Sequence, residues 1–146
     1  MKFIPQLIPD LILIEPNVHY DDRGYFVETY RQDFFLESVG CKVKFVQENE
    51  SQSTKGVLRG LHYQLPPFSQ SKLIRVTEGK ILDFAVDIRK TSPTFGQHIA
   101  IELSAENMCQ LFVPCGFAHG FLVLSETAKM NYKVDNFYMP DFEPTS

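Results

Sequence analysis

The sequence has 146 residues, of which 44% are hydrophobic and 22% charged, and its formal net charge is −4. This composition is typical of a globular chain, and the length predicts a single domain, 1–146, that can bury a core without metal or disulfide crosslinks. The negative charge argues against a general nucleic-acid-binding protein, so any phosphate site has to be a local cluster of basic residues.

The cysteines and the first residues of the chain indicate the cellular compartment in which the protein is expected. Cys41, Cys109 and Cys115 are odd in number and lack the paired spacing of zinc sites, which favours a reducing compartment and a packing role. Pro5, Pro9 and Asp10 interrupt the apolar start, and no stretch has the length of a membrane span. We therefore expect a cytoplasmic protein without a membrane partner.

The first quarter of the chain mixes short strands with one helix. Residues 11–15 and 25–30 are rich in β-branched and aromatic residues and predict strands, with a turn at 21–24 between them. Asp33 is the predicted N-cap of a short helix that ends at Gly40.

Strands dominate the rest of the chain. Gly79 predicts a tight hairpin between two of them. Because no long helices alternate with the strands, an antiparallel sandwich or barrel is favoured over a doubly wound parallel sheet, and periodicity alone does not choose between those two. The predicted strands are 43–51, 57–64, 72–78, 81–89, 97–103, 108–113, 121–124 and 128–134.

Polar residues are concentrated among the apolar ones between Gln47 and Lys72, and burying them costs free energy unless each finds a partner. A bound polar ligand is one such partner. Strict alternation would place Arg59 and His62 on opposite faces of their strand. If both serve one ligand, a bulge is needed, and Gly60 between them is the expected position.

A second motif lies near the end of the chain. Residues 114–121 read P-C-G-F-A-H-G-F, which resembles the second motif of the cupins, a class of antiparallel barrels. The H-x-H position of the first cupin motif reads His62-Tyr63-Gln64. One histidine from each motif, His62 and His119, is too few for a usual first-row metal site, so no metal is expected.

Six segments together resemble the dTDP-4-dehydrorhamnose 3,5-epimerase family. The resemblance implies a cupin-like antiparallel jelly roll. It also implies epimerisation at C3 and/or C5 of a nucleotide-linked, dTDP-type 4-keto-6-deoxyhexose, without metal or nicotinamide cofactor. The segments occur in family order and are 22–28, 45–49, 58–64, 70–73, 83–89 and 116–121.

The same resemblance implies a role for each site residue. His62 is the expected base, Lys72 the enolate-stabilising cation and Tyr132 the proton donor on the opposite face. Arg23 and Arg59 are the expected diphosphate ligands, and Arg23 is expected to reach the site of a second subunit in a homodimer. The remaining substrate contacts are expected from Glu28, Gln47, Asn49, His119 and Tyr138.

The resemblance leaves the partner of His62 open. In the family an aspartate in a further C-terminal segment pairs with this histidine, and the chain is expected to lack that segment. Asp83 is the expected substitute, with Asp141 and Glu143 as alternatives. Two other functions therefore stay in play: a non-catalytic nucleotide-sugar-binding cupin, and a metal-dependent cupin oxygenase.

Overall fold

The structure is a computed structural model that describes residues 1–40 and 42–144. Strands are the main regular structure of this part of the chain, which also contains α1 (Gln32–Val39) and a 3-10 helix (Pro140–Phe142). The strands are β1 (Lys2–Pro5), β2 (Ile12–Glu15), β3 (Val18–Asp21), β4 (Gly24–Val27), β5 (Gln47–Thr54), β6 (Leu58–His62), β7 (Lys72–Glu78), β8 (Lys80–Asp87), β9 (His98–Ser104), β10 (Gln110–Val113), β11 (Phe117–Val123) and β12 (Thr127–Val134).

Two antiparallel sheets enclose the core. The larger has the strand order β1-β2-β10-β7-β12-β5 and the smaller the order β6-β11-β8-β9. Apolar side chains from both sheets fill the space between them, as expected when alternate residues of each strand point inward. This arrangement confirms the predicted jelly roll. The inward-facing residues include Ile74, Val76, Leu111 and Met130 from the larger sheet and Ile81, Ala85, Leu103, Phe121 and Val123 from the smaller.

The outer face of the larger sheet is covered by α1. Phe35 of the helix packs edge-on against Phe112 of β10, with ring centroids 5.2 Å apart. The helix ends at Gly40 in the left-handed conformation, as predicted. Its start differs from the prediction, because Arg31 is the N-cap and Asp33 lies in the first turn, where it accepts hydrogen bonds from Arg31 and from the Phe34 amide.

Gly79 is a corner between the sheets, so the predicted hairpin is wrong. The strand before it, β7, belongs to the larger sheet and the strand after it, β8, to the smaller one. Gly79 has φ +78°, and a Cβ there would lie 2.1 Å from the carbonyl oxygen of Thr127. Only a glycine fits at this position, because the chain passes from one sheet to the other in close contact with the start of β12.

Other element boundaries agree in part with the sequence prediction. β7 matches its predicted range, whereas β5 begins four residues later than predicted and β11 four residues earlier. β1 and β3 were not predicted. Of the cysteines, Cys109 packs against the core, but Cys115 is exposed, which corrects its packing role. Cys41 lies outside the described residues.

The outer face of the smaller sheet carries exposed apolar side chains. Leu58 is 62% exposed and Leu61 50%, and with Phe84, Val86 and neighbouring residues they line a shallow groove of about 380 Å³. The β3–β4 hairpin presents further exposed aromatic rings, those of Tyr20, Tyr25 and Phe26. No helix in the described residues is long and apolar enough to cross a membrane.

Candidate active site

The pairing of β6 with β11 contains an irregularity at Gly60. Arg59 lies opposite Phe121. His62 lies opposite His119, so three steps along β6 match two steps along β11. The extra residue forms a bulge that puts Arg59 and His62 on the same face, as the sequence predicted. Gly60 has φ +111°, and a Cβ there would lie 2.7 Å from backbone atoms of β11.

A polar cleft of about 230 Å³ opens where β6 ends and β7 begins. His62 closes β6, Lys72 opens β7, and Tyr132 lies on β12, next to β7 in the larger sheet. Residues predicted from three separate parts of the sequence therefore meet in one place. The lining residues are His62, Tyr63, Gln64, Gln70, Lys72, Tyr132, Tyr138 and Glu143.

His62 is paired with Glu143. The Nδ1 atom of His62 lies 2.6 Å from a carboxylate oxygen of Glu143. The imidazole side chain is 54% exposed, while the glutamate side chain is 24% exposed. This contact corrects the expectation that Asp83 would hold His62. Glu143, one of the two alternative carboxylates, makes the contact instead.

Asp83 is paired with the other cupin-motif histidine. Its Oδ1 atom lies 2.7 Å from Nε2 of His119, and both side chains are buried between the sheets. The second oxygen, Oδ2, has no hydrogen-bond partner among the described residues. Among the described residues, those that line the cleft do not include His119. The substrate contact expected from His119 therefore stays a prediction.

Lys72 lines the cleft beside Tyr132, with its Nζ atom 5.7 Å from the ring centroid of the tyrosine. Burial lowers the pKa of the Lys72 ammonium, and the charges of Asp83 and Glu143 oppose that shift. The lysine is thus a partly desolvated cation that is influenced by the carboxylates of both histidine–carboxylate pairs.

A row of polar side chains continues from the cleft along β5. Burial alternates along this strand, with Gln47, Asn49 and Ser53 on the less exposed face. The Gln47 amide donates to Asn49 (3.0 Å) and accepts from the backbone amide of Tyr138 (3.1 Å). Arg59 donates through Nε to the Ser53 hydroxyl at 2.8 Å, and its terminal nitrogens make no hydrogen bond with the described residues. Ser53 was not singled out in the sequence because a lone serine on a strand carries no motif.

Arg23 and Glu28 lie away from this row. Arg23 is at the tip of the β3–β4 hairpin, where it forms an exposed ion pair with Asp21 at 2.7 Å. Glu28 lines a separate surface cleft with Phe26 and His19. The substrate contacts predicted for both residues remain predictions, and that of Arg23 requires a second subunit.

The described residues contain no cluster of three or more His, Cys, Asp or Glu side chains placed to hold a metal ion. The two cupin-motif histidines each face one carboxylate. The jelly roll and the cleft together define a cupin-type protein in which histidine, tyrosine and lysine side chains meet in a polar cleft where β6 ends.

The comparison with protein families is specific. A family model described as dTDP-4-dehydrorhamnose 3,5-epimerase matches residues 5–145. The dTDP-4-dehydrorhamnose 3,5-epimerase of Shigella flexneri is 57% identical over 138 residues, which are 94% of this chain and 76% of that protein. The chain belongs to the dTDP-4-dehydrorhamnose 3,5-epimerase family.

Solved structures show the same likeness. A dTDP-4-dehydrorhamnose 3,5-epimerase from Elizabethkingia anophelis superposes with a TM-score of 0.95 at 50% identity, over 99% of this chain and 79% of that one. A dTDP-6-deoxy-D-glucose-3,5-epimerase from Legionella pneumophila in complex with dTDP-4-keto-L-rhamnose gives 0.94 at 47% identity, over 97% and 75% of the two chains.

Proposed function

We propose that this protein epimerises a dTDP-linked 4-keto-6-deoxyhexose at C3 and/or C5. The observation that carries the proposal is the meeting of His62, Lys72 and Tyr132 in one cleft of a chain that belongs to this family. These side chains supply a base, a cation and an acid, the three functions that inversion next to a carbonyl needs.

His62 removes the proton. The C4 carbonyl of the sugar acidifies the hydrogens on C3 and C5. Because Nδ1 of His62 is engaged with Glu143, its Nε2 atom is the one available to the substrate. The C–H bond breaks, its electron pair moves into the carbonyl to give an enolate, and the proton bonds to Nε2.

Lys72 stabilises the enolate oxygen. A fixed positive charge is most effective where water is excluded, and the burial of Lys72 provides such a setting. Burial lowers the pKa of the Lys72 ammonium, and the charges of Asp83 and Glu143 oppose that shift. The role proposed for Lys72 requires the charged form.

Tyr132 returns a proton to the opposite face of the carbon. A lone base tends to return the proton to the side from which it came, so inversion needs a second group. Tyr132 projects from β12 in the larger sheet, whereas His62 belongs to β6 of the smaller sheet. A sugar held between the two sheets would have one of these residues on each of its faces.

The polar row along β5 would bind the remainder of the substrate. Arg59 presents a forked cation suited to the diphosphate. Gln47, Asn49 and Tyr138 supply neutral hydrogen-bonding groups beside it. A net negative protein can thus hold a dianionic ligand through a local basic site.

Deuterium exchange tests the proposal. The protein is incubated with the dTDP-4-keto-6-deoxy sugar in D₂O, and deuterium at C3 and C5 is followed by NMR. We expect the wild type to incorporate deuterium and to invert the carbon. In Tyr132→Phe, the rate of inversion should fall more than the rate of deuterium exchange. Binding of dTDP without any exchange by the wild type would overturn the epimerase and leave a nucleotide-sugar-binding protein.

We also propose that the protein is a homodimer. Two exposed apolar features support an interface: the groove around Leu58 and Leu61 on the smaller sheet, and the aromatic rings of the β3–β4 hairpin. A hairpin that reaches a second subunit would bring Arg23 to the partner's cleft, where its phosphate contact is expected.

Light scattering coupled to gel filtration tests the dimer. The wild type is expected at twice the chain mass of 16.8 kDa, and Leu58→Glu at the monomer mass. Leu7→Glu is the matched control, because Leu7 is 96% exposed outside both surfaces. A monomeric wild type at micromolar concentration contradicts the proposal.

A further inference from the structure

We propose that Gln64 is a positioning residue that sets where the ring of Tyr138 stands in the cleft and thereby prepares the cleft for the nucleotide. This inference rests on the proposed function, in which Tyr138 contacts the substrate. Gln64 occupies the second histidine position of the first cupin motif and lines the cleft. In this chain its side chain is a clamp between two irregular segments.

The segment that carries Tyr138 depends on hydrogen bonds from other parts of the chain. Residues 135–139 follow β12 and form neither helix nor strand. Phe137 and Tyr138 are both more than half exposed, so the burial of their side chains stabilises this segment only weakly. The backbone groups of the segment therefore need partners elsewhere, and side-chain amides supply them.

The carboxamide of Gln64 is buried, and its donors and its acceptor are all engaged. Nε2 donates to the carbonyl oxygens of Phe68 at 2.6 Å and Phe137 at 3.1 Å, and Oε1 accepts from the backbone amide of Met139 at 2.8 Å. Two carbonyls on one side and an N–H on the other define which end of the carboxamide is nitrogen. Gln64 thus binds the residues on both sides of Tyr138.

Neighbouring carboxamides hold the same segment. Oε1 of Gln47 accepts from the backbone amide of Tyr138 itself at 3.1 Å. Nε2 of Gln70 donates to the carbonyl of Asn136 at 3.0 Å. Gln64 is the buried member of this set, and it contacts two residues of the segment. Its replacement is therefore expected to displace Tyr138 the most.

Position 64 requires a carboxamide because the site needs two donors and one acceptor on a single side chain. A glutamate of the same size keeps the acceptor for Met139 but places an oxygen against the carbonyls of Phe68 and Phe137, where donors are needed. Gln64→Glu should therefore release the segment. His62 is held separately, by the pairing of β6 with β11, so the base should stay in place.

A double-mutant cycle on the affinity for dTDP tests the inference in the full chain. Calorimetry gives the Kd of dTDP for wild type, Gln64→Glu, Tyr138→Ala and the double variant. Gln52→Glu is the matched control, because Gln52 is exposed on β5 and receives the same change of charge. Gln64→Asn, which keeps a neutral carboxamide on a shorter side chain, is a milder second variant. Circular dichroism establishes that each variant is folded.

We expect Gln64→Glu to raise the Kd about 10-fold and Tyr138→Ala about 30-fold, with the double variant equal to Tyr138→Ala. A residue that acts through Tyr138 has no further effect once the ring is gone. Gln64→Asn should lie between wild type and Gln64→Glu, and Gln52→Glu should match the wild type. In solvent deuterium exchange, Gln64→Glu should raise KM with kcat within about 3-fold of the wild type.

Two results of these measurements overturn the inference. Additive losses of affinity in the cycle would show that Gln64 acts on the ligand directly or through the whole fold. A fall in kcat at unchanged Kd would show that Gln64 acts on the base instead of on Tyr138.

A measurement without ligand separates this inference from the proposed function. In protein labelled with fluorotyrosine, the fluorine NMR signal of Tyr138 is assigned by its loss in Tyr138→Ala. We expect Gln64→Glu to shift this signal, and an unchanged signal overturns the inference. A wild type without deuterium exchange would instead overturn the epimerase function, and the fluorine signal would still decide whether Gln64 positions Tyr138.

Discussion

Two histidine–carboxylate pairs lie side by side in this barrel, and they differ in access to solvent. His62 and His119 are opposite each other on β6 and β11, and their carboxylate contacts measure 2.6 and 2.7 Å. The His62 side chain is 54% exposed, whereas that of His119 is 6% exposed and Asp83 is fully buried. The same chemical unit is therefore buried inside the barrel in one case and open to a ligand in the other, where the proposed function assigns His62 the role of proton acceptor.

The contrast shows that the two histidine–carboxylate pairs differ in burial and not in the type of interaction that they make. A buried carboxylate has to be satisfied by protein groups, and removing its partner leaves a costly unpaired group. A pair at the surface of a cleft is stabilised by water as well, so its loss costs little free energy of folding and its imidazole can meet a ligand.

The largest expected effect is that of His62→Asn on activity. The substitution keeps a polar side chain of similar size but removes the base, and we expect deuterium exchange to fall by about 10³-fold. His119→Asn should reduce exchange far less. Calorimetry measures the dTDP affinity of both variants. If their affinities are equal and their exchange rates fall equally, the two pairs do not differ in function.

The next effect concerns stability. Asp83→Ala leaves His119 buried without its partner, and we expect the free energy of unfolding to fall by about 3 kcal/mol. Glu143→Ala breaks a partly exposed pair and should cost less than about 1 kcal/mol. Urea denaturation followed by circular dichroism measures both. A larger loss for Glu143→Ala than for Asp83→Ala would contradict the comparison.

A pH effect follows from the burial of Lys72. Burial lowers the Lys72 pKa from its ordinary 10.5, so the ammonium is lost, and kcat falls, at a lower pH than for an exposed lysine. Between the lowered and the ordinary pKa the unfolded chain binds more protons, so this group makes the fold more stable as pH rises.

Glu143→Gln removes one of the two charges that oppose the lowering of the Lys72 pKa. It should therefore move the alkaline fall of kcat to still lower pH. The kcat–pH profiles of wild type and variant, recorded above pH 7, provide the measurement. An unchanged profile would show that Lys72 does not respond to Glu143, and a profile that moves toward higher pH would contradict the expected direction of the shift.

The smallest effect is expected at Tyr138. Its hydroxyl lies near Glu143, whose charge raises the Tyr138 pKa. We expect Tyr138→Phe to lower the exchange rate by less than about 5-fold, because the contact between His62 and Glu143 remains. Thermal unfolding should be unchanged. A loss as large as that expected for His62→Asn would place the Tyr138 hydroxyl among the groups that transfer the proton.

The fold was predictable where local pattern decides it. The range of β7, the left-handed end of α1 at Gly40 and the bulge at Gly60 each follow from a few neighbouring residues. The hairpin predicted at Gly79 failed because a glycine with positive φ suits both a tight turn and a corner between sheets. The choice between them depends on strands that are distant in sequence.

The sequence predicted which residues form the candidate site better than it predicted which of their side chains contact one another. Family motifs indicated His62, Lys72 and Tyr132, and the structure brings them together. The carboxylate partner was named only as an alternative, because Glu143 is 81 residues from His62 and lies in a short segment without a motif. Asp83 was a reasonable choice by strand adjacency, but the partner it meets across the barrel is His119.

The bulge between Arg59 and His62 has a consequence for sequence change in this family. Without a bulge, a spacing of three residues would put Arg59 and His62 on opposite faces, whereas a spacing of two would keep them on one face. A single-codon deletion at position 60 or 61 is therefore expected to leave both side chains on the inner face, whereas a side chain at Gly60, whose Cβ would lie 2.7 Å from backbone atoms of β11, should disturb the bulge and separate them. A glycine directly after the arginine, with the histidine three residues beyond the arginine, is therefore a simple marker for recognising, among uncharacterised relatives, those that keep both side chains on one face.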